Sequence, residues 1–183
     1  RAFEVAVHME EHSPPQSLAE GYYCCLRGDM AQDGEDPKAA VEWYERARHV
    51  AELLGEPGLN VELRLNLARY HRRFGGGATA YQWADDGFYI ACQAGSCDLQ
   101  GLALLERAQA AWRVGHLEAA QQDIETAIAL LAALPANYDL ARAYLLLAGL
   151  LYQQRLAGAE AAWGEAMARI VTGGYGFLFE RER

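Results

Sequence analysis

Lysine is almost absent from this chain: Lys38 is the only one, and the remaining positive charge is arginine. Against 16 basic residues stand 25 acidic ones, a formal net charge of −9. A face that holds a nucleic-acid backbone collects Lys and Arg to displace counterions, so direct nucleic-acid contact by this segment is not expected. Isoleucine and threonine are also scarce beside alanine, leucine, glutamate and arginine, a balance that favours helix over sheet. Long apolar runs are missing. The longest, AYLLLAGLLY from Ala143 to Tyr152, is about half of what a bilayer requires. With no signal peptide in view either, the expected setting is cytoplasmic, without a membrane partner. Four cysteines fall as Cys24-Cys25 and as Cys92 and Cys97, which is not a disulfide framework.

What is present is an ample apolar half and moderate charge, enough for an ordered core in one compact domain or one repeat array. The chain begins at Arg1 and stops at RER without a tail, and so reads as a piece of something longer. It also repeats itself. AVEWYERA, AYQWADDG, AQQDIETA and AEAAWGEA each place a small residue, a bulky one four positions on and a second small one three further. The triplets are Ala40/Tyr44/Ala47, Ala80/Ala84/Gly87, Ala120/Ile124/Ala127 and Ala159/Trp163/Ala166, a period near forty. The second copy departs, with Ala84 in the bulky place and Trp83 beside it. Offsets of four and seven put all three positions on one helical stripe, where small residues admit a neighbouring helix.

Between each upstream apolar-periodic segment and its triplet lies a break: DGEDP (33–37), GGG (75–77), GH (115–116) and QRLAG (154–158). The unit is therefore helix A, tight turn, helix B and a longer connection. RRFGGGATAYQWADDG also invites reading as a phosphate loop. No strand precedes its glycines, however, and Ala78-Thr79-Ala80 stands where a Walker loop carries Lys and Ser or Thr. It is a turn. SLAE at Ser17–Glu20 is a capping box, Asp98 and Asn137 are expected to N-cap the third and fourth A helices, and Pro57-Gly58 is expected to separate the first pair from the second.

These residues resemble the tetratricopeptide repeats. The second helix of that family carries the spacing of Ala120/Ile124/Ala127, and its turn often opens as VGHLEAA does at Val114–Ala120. The helix A signature is weaker: Gly28, Ala68 and Ala108 hold its small position, and Leu147 departs from it. A period near forty exceeds the family's usual thirty-four. The resemblance implies an all-α, right-handed α-solenoid of about four units, at 17–55, 58–95, 98–134 and 137–172. Residues 1–13 would be the orphan helix of a preceding repeat, and 173–183 the start of a following segment. Units of this length also resemble the helical-repeat region of MalT-like regulators of the LuxR family. That likeness implies an interaction or effector-sensing region of a larger bacterial transcription regulator, or otherwise an assembly scaffold.

By the same resemblance the A helices line a concave face. Its groove candidates are Tyr22, Asn66, Arg69, Arg72, Gln109, Trp112 and Tyr144, with Cys25, Asp29, Leu65, Leu105 and Ala148 around them. Arg69 and Arg72 lie three apart on one side of a helix and, with Arg73, stand out in an acidic chain. Arginine's planar fork suits carboxylate or phosphate, and Trp112 offers an apolar anchor, so the expected partner is a protein, a peptide or a small anionic effector. Alternatively these arginines pair with Asp29 or Glu62. The two-carboxylate clamp of some tetratricopeptide proteins is not expected, because Cys25 and Asp29 occupy the positions where it needs Lys and Asn. HMEEH, from His8 to His12, matches the inverted zinc-protease pattern H-x-x-E-H, but no third ligand accompanies it and an ordinary helix is expected there. All four cysteines are expected to be buried free thiols. No nucleophile with a base and no dinucleotide fingerprint is visible, so neither catalysis nor a cofactor or metal is expected. Apolar residues such as Phe177 and Phe179 near the end are candidates for a homodimer through exposed solenoid ends.

Overall fold

A computed structural model describes residues 13–181, with side chains through Phe179. The expected orphan helix and the HMEEH pattern lie outside the described residues. Within them the chain forms helices and no strand: α1 (Leu18–Asp33), α2 (Pro37–Leu54), α3 (Pro57–Phe74), α4 (Gly77–Gln93), α5 (Cys97–Arg113), α6 (Leu117–Leu131), α7 (Asn137–Gln154), α8 (Ala159–Gly173) and a short α9 (Leu178–Arg181). Each helix packs on the next, and the odd-numbered helices also touch along a row, α1 with α3, α3 with α5 and α5 with α7. The even-numbered helices make no comparable row. The result is an α-solenoid of helical hairpins. Among the described residues no helix is long and apolar enough to cross a membrane.

Local chemistry sets the helix ends. Ser17 Oγ accepts the Glu20 N–H at 3.2 Å, while the Glu20 carboxylate accepts the Gln16 N–H at 2.6 Å, so the capping box closes one residue further out than its usual form. Asp36 caps α2 by accepting the Ala39 N–H. Glu56 takes the N–H groups of both Gly58 and Leu59, which starts α3 at Pro57. Pro57-Gly58 is therefore the first turn of a helix and not a spacer, since proline at the first helical position loses no hydrogen bond. Two expected caps also shift. α5 begins one residue before Asp98, with Ser96 as its cap residue, and the Ser96 hydroxyl donates to the Asp98 carboxylate. α7 takes Asn137 as its first helical residue, behind Ala136.

The small–bulky–small stripes face inward as expected in three units. Ala40, Tyr44 and Ala47 are buried, as are Ala80, Ala84 and Gly87, and Ala120, Ile124 and Ala127. Tyr44 also needs Gly28 opposite it, because a Cβ there would lie 2.3 Å from the Tyr44 ring. The tyrosine hydroxyl then donates to Asp29 at 2.8 Å. The fourth stripe behaves differently. Ala166 is buried, but Ala159 is only half-buried and Trp163 is 47% exposed; α8 buries Ala162, Ala166 and Ile170 instead. No full-length helix follows α8 among the described residues, so the outer part of its stripe has nothing to pack on apart from Phe179, whose ring centroid lies 5.8 Å from that of Trp163.

Candidate interaction face

The row of odd-numbered helices gathers charges that are far apart in sequence. Glu106 on α5 is 2% exposed, and three arginines converge on it from two other helices. Arg142 of α7 donates to Glu106 Oε1 at 2.7 Å. From α3, Arg69 Nε lies 3.2 Å from Oε1 and Arg72 Nη2 3.5 Å from Oε2. Arg69 also reaches Asp29 on α1 and Glu62 one turn away, both at 3.8 Å. One network thus ties four helices together. Burial works to raise the Glu106 carboxyl, but Arg142, Arg69 and Arg72 together outweigh it and hold the group down at about 2. A carboxylate this deep is tolerable only because its counter-charges are equally deep.

The network has an unsatisfied side. Asn66, on the same stripe of α3 as Glu62 and Arg69, is fully buried, and neither its Nδ2 nor its Oδ1 meets a hydrogen-bonding partner among the described residues. Glu106 Oε2 accepts no hydrogen bond either. Buried polar groups are normally paired, since leaving one unpaired costs about 1–3 kcal/mol. The face therefore carries donor and acceptor capacity that the protein does not use.

The other groove candidates are spread more widely. Gln109 is buried one turn beyond Glu106. Trp112 is half-buried: its Nε1 donates to Gln153 Oε1 at 2.6 Å and its ring lies across Gly149. Tyr22 is half-buried on α1, where burial and then Glu56 and Glu62 raise its hydroxyl above the usual range. Tyr144 faces another way, toward α8, with the Arg169 guanidinium 4.8 Å above its ring. Leu65, Leu105 and Ala148 belong to the packed interior. Arg73 is tied to the α1–α2 turn, donating to the Gln32 carbonyl at 2.9 Å.

Cys24 and Cys25 are buried, and burial pushes both thiols up, which makes them packing residues and not nucleophiles. Cys92 and Cys97 are exposed, contrary to expectation: they sit on the last turn of α4 and the first residue of α5, beside the solvent-facing turn between them. Among the described residues no group of three or more His, Cys, Asp or Glu is placed to hold a metal ion. Glu106 and Arg142 were absent from the sequence-derived candidates. Their signal was there, a charged residue set inside each of the largely apolar runs LALLERAQAAW and DLARAYLLL. A second cluster was missed as well. Arg107 forks onto Asp123 with two 2.8 Å hydrogen bonds and reaches Asp85, which links α4, α5 and α6.

No family model matches the sequence, and no curated protein matches it. Solved structures do share its fold. BtubC (BKLC) from P. vanneervenii superposes with a TM-score of 0.73 at 20% identity, over 92% of this chain and 69% of that one. A Pyrococcus horikoshii signal transduction ATPase with numerous domains, which has a tetratricopeptide repeat sensor, gives 0.68 at 17%, over 89% of this chain and 26% of that one. A Rap protein complexed with Competence and Sporulation Factor gives 0.67 at 18%, over 94% and 47%. The chain thus spans about a quarter and about half of the latter two. The likeness establishes the fold, an α-solenoid of helical repeats like those of these structures.

Proposed function

We propose that the row formed by α1, α3, α5 and α7 is a recognition face for a peptide or protein segment bearing a carboxylate. The chain would serve as the interaction or effector-sensing region of a larger bacterial transcription regulator of the MalT-like kind, and would not itself be an enzyme. One observation carries the proposal: Asn66 is buried with both amide atoms unpartnered, beside three arginines that share a single deep carboxylate. An asparagine amide presents one donor and one acceptor side, the complement of a peptide group. Arg72, the most open of the three arginines, is the natural partner for a ligand carboxylate, which would compete with Glu106 for it. Because Glu106 links α3, α5 and α7, drawing Arg72 outward loosens the contact between α3 and α5. Occupancy is thereby converted into a change of repeat packing, and this is the step a sensor needs. Two of the structures of similar fold support the reading, one described as a sensor and one solved with a bound factor.

The test is selection from a displayed library of random twelve-residue peptides on the wild type, Asn66→Ala and Arg72→Gln, each checked for helicity by circular dichroism. Wild type should enrich sequences containing Asp or Glu, and both variants should recover them at least tenfold less well. Equal recovery by folded variants refutes the proposed face. The regulator half is tested separately: a helix-turn-helix DNA-binding unit in the same native polypeptide supports it, and a native polypeptide without one favours a scaffold.

A further inference from the structure

α3 carries opposite charges at the two ends of its stripe on the recognition face. Glu62, Asn66 and Arg69 follow one another at i, i+4 and i+7. Arg72, three positions beyond, joins Arg69 on Glu106. Glu62 and Arg72 are the more open members, with side chains 34% and 27% exposed, while Asn66 between them is fully buried. The stripe therefore presents a carboxylate, then an amide that meets no hydrogen-bonding partner among the described residues, then a guanidinium.

The negative end is reinforced from α1. The Tyr22 hydroxyl and the Glu56 carboxylate both lie beside Gly58, where a Cβ would stand 3.1 Å from each. Glu56 and Glu62 both act on that hydroxyl, adding to the effect of burial. Asp29 approaches from α1 as well. Arg69 reaches these carboxylates but is shared: its Nε lies 3.2 Å from Glu106, against 3.8 Å from its guanidinium to each of Asp29 and Glu62. Ion pairs at that distance and exposure hold their partners weakly. Glu56 is engaged in capping α3 through the N–H groups of Gly58 and Leu59. Glu62 is thus the carboxylate of this end best placed to turn toward a ligand cation, and the half-buried Tyr22 offers such a cation an aromatic face.

We infer that the ligand of this face is an extended peptide segment of both charges, with a Lys or Arg at Glu62 and Tyr22, a backbone peptide group at Asn66, and an Asp or Glu at Arg72. This rests on the recognition face proposed above and adds to it a second charge and a spacing. Glu62 and Arg72 are ten positions apart on α3, roughly 15 Å of helical rise. An extended chain covers that length in about four to five residues, at about 3.3 Å each. A ligand charged only negatively meets repulsion at the Glu62 end, whereas one with both charges is matched at each end and held in one direction.

The test selects from the displayed library of random twelve-residue peptides on the wild type, Glu62→Gln and Glu62→Arg, each checked for helicity by circular dichroism. Enriched sequences are scored for the separation between basic and acidic residues. Wild type should enrich Lys or Arg at the stated spacing from Asp or Glu at least fivefold over the same pairs at other spacings. Glu62→Gln should keep the acidic residue and lose the basic one, and Glu62→Arg should select a second acidic residue in its place. One labelled peptide from the wild-type pool is then followed by fluorescence anisotropy beside a copy whose basic residue is replaced by Gln. Wild type should bind the first at least tenfold more tightly, and Glu62→Gln should bind the two alike. Acidic enrichment with no basic residue at that spacing, or a spacing that persists in Glu62→Gln, overturns this inference and leaves the recognition face standing. Equal binding of the two peptides by wild type also overturns it, whether or not the variants fold. Enrichment of neither charge removes the face and this inference together.

Discussion

α6 and α8 are written alike and used differently. Each carries a small residue, a bulky one four on and a small one three further, yet Ile124 of α6 is 1% exposed and Trp163 of α8 is 47% exposed. The difference lies outside both helices. α6 is roofed by α7, whereas among the described residues only four-residue α9 follows α8. In a solenoid each unit contacts its neighbours alone, so the same motif is core in α6, which α7 covers, and surface in α8, which no full-length helix follows among the described residues. The motif specifies what a helix can receive, and the next unit decides whether it is received.

Substitutions should separate the two regions. The largest effect is expected at the centre, where Glu106→Ala leaves three arginines without their shared carboxylate. A loss of roughly 3–5 kcal/mol is expected by urea denaturation, the usual result of breaking a buried ion pair from one side. The same group gives an acid signature. Its folded carboxyl is held below its unfolded value, so the stability it provides is complete above about pH 4.5 and is lost as pH falls toward about 2. Glu106→Gln should flatten that part of the stability–pH curve, and an unchanged slope would contradict the burial of a charged Glu106.

Next comes the motif itself. Ile124→Ala should cost roughly 2–5 kcal/mol as a core truncation. Trp163→Ala, although it removes a larger side chain, should cost under about 1 kcal/mol, as surface changes do. Similar losses for both would mean that Trp163 is covered as Ile124 is. The last contrast is one of sign. A Cβ on Gly101 of α5 would stand 2.7 Å from Leu131, so Gly101→Ala should lose about 1–3 kcal/mol through overpacking. Gly164 of α8 has open space around it, and Gly164→Ala should gain about 0.5–1 kcal/mol from helix propensity. Thermal melts of the two variants displaced in the same direction would sharpen nothing and would count against the contrast.

Periodic features were legible from the residues alone. The four breaks fall between α1 and α2, α3 and α4, α5 and α6, and α7 and α8, because Gly, Asp and Pro punctuate helices through local geometry. The three glycines after Arg72 and Arg73 are such a turn, with the Gly75 N–H returning to the His71 carbonyl at 2.9 Å. Features that depend on a distant partner were not legible. Arg69 and Arg72 were readable as groove cations or as partners of Asp29 or Glu62, and Arg69 does reach both, but nothing nearby in sequence reveals that Glu106, more than thirty positions on, lies against them. Asn66 was visible as a groove position but not as an unpartnered one, since hydrogen-bond satisfaction belongs to the assembled fold. Trp163 looked like core for the complementary reason: its stripe is correct, and no full-length helix follows α8 among the described residues to cover it.

The most direct test pairs Ala120→Leu with Ala159→Leu, equivalent first positions of the two stripes, in urea denaturation of otherwise identical chains. Ala120 is fully buried and should lose about 1–3 kcal/mol when enlarged, whereas Ala159 lines an open groove between α7 and α8 and should change by no more than about 0.5 kcal/mol. Equal losses at both positions would contradict the claim that the neighbouring unit, and not the motif, decides what this helical array buries.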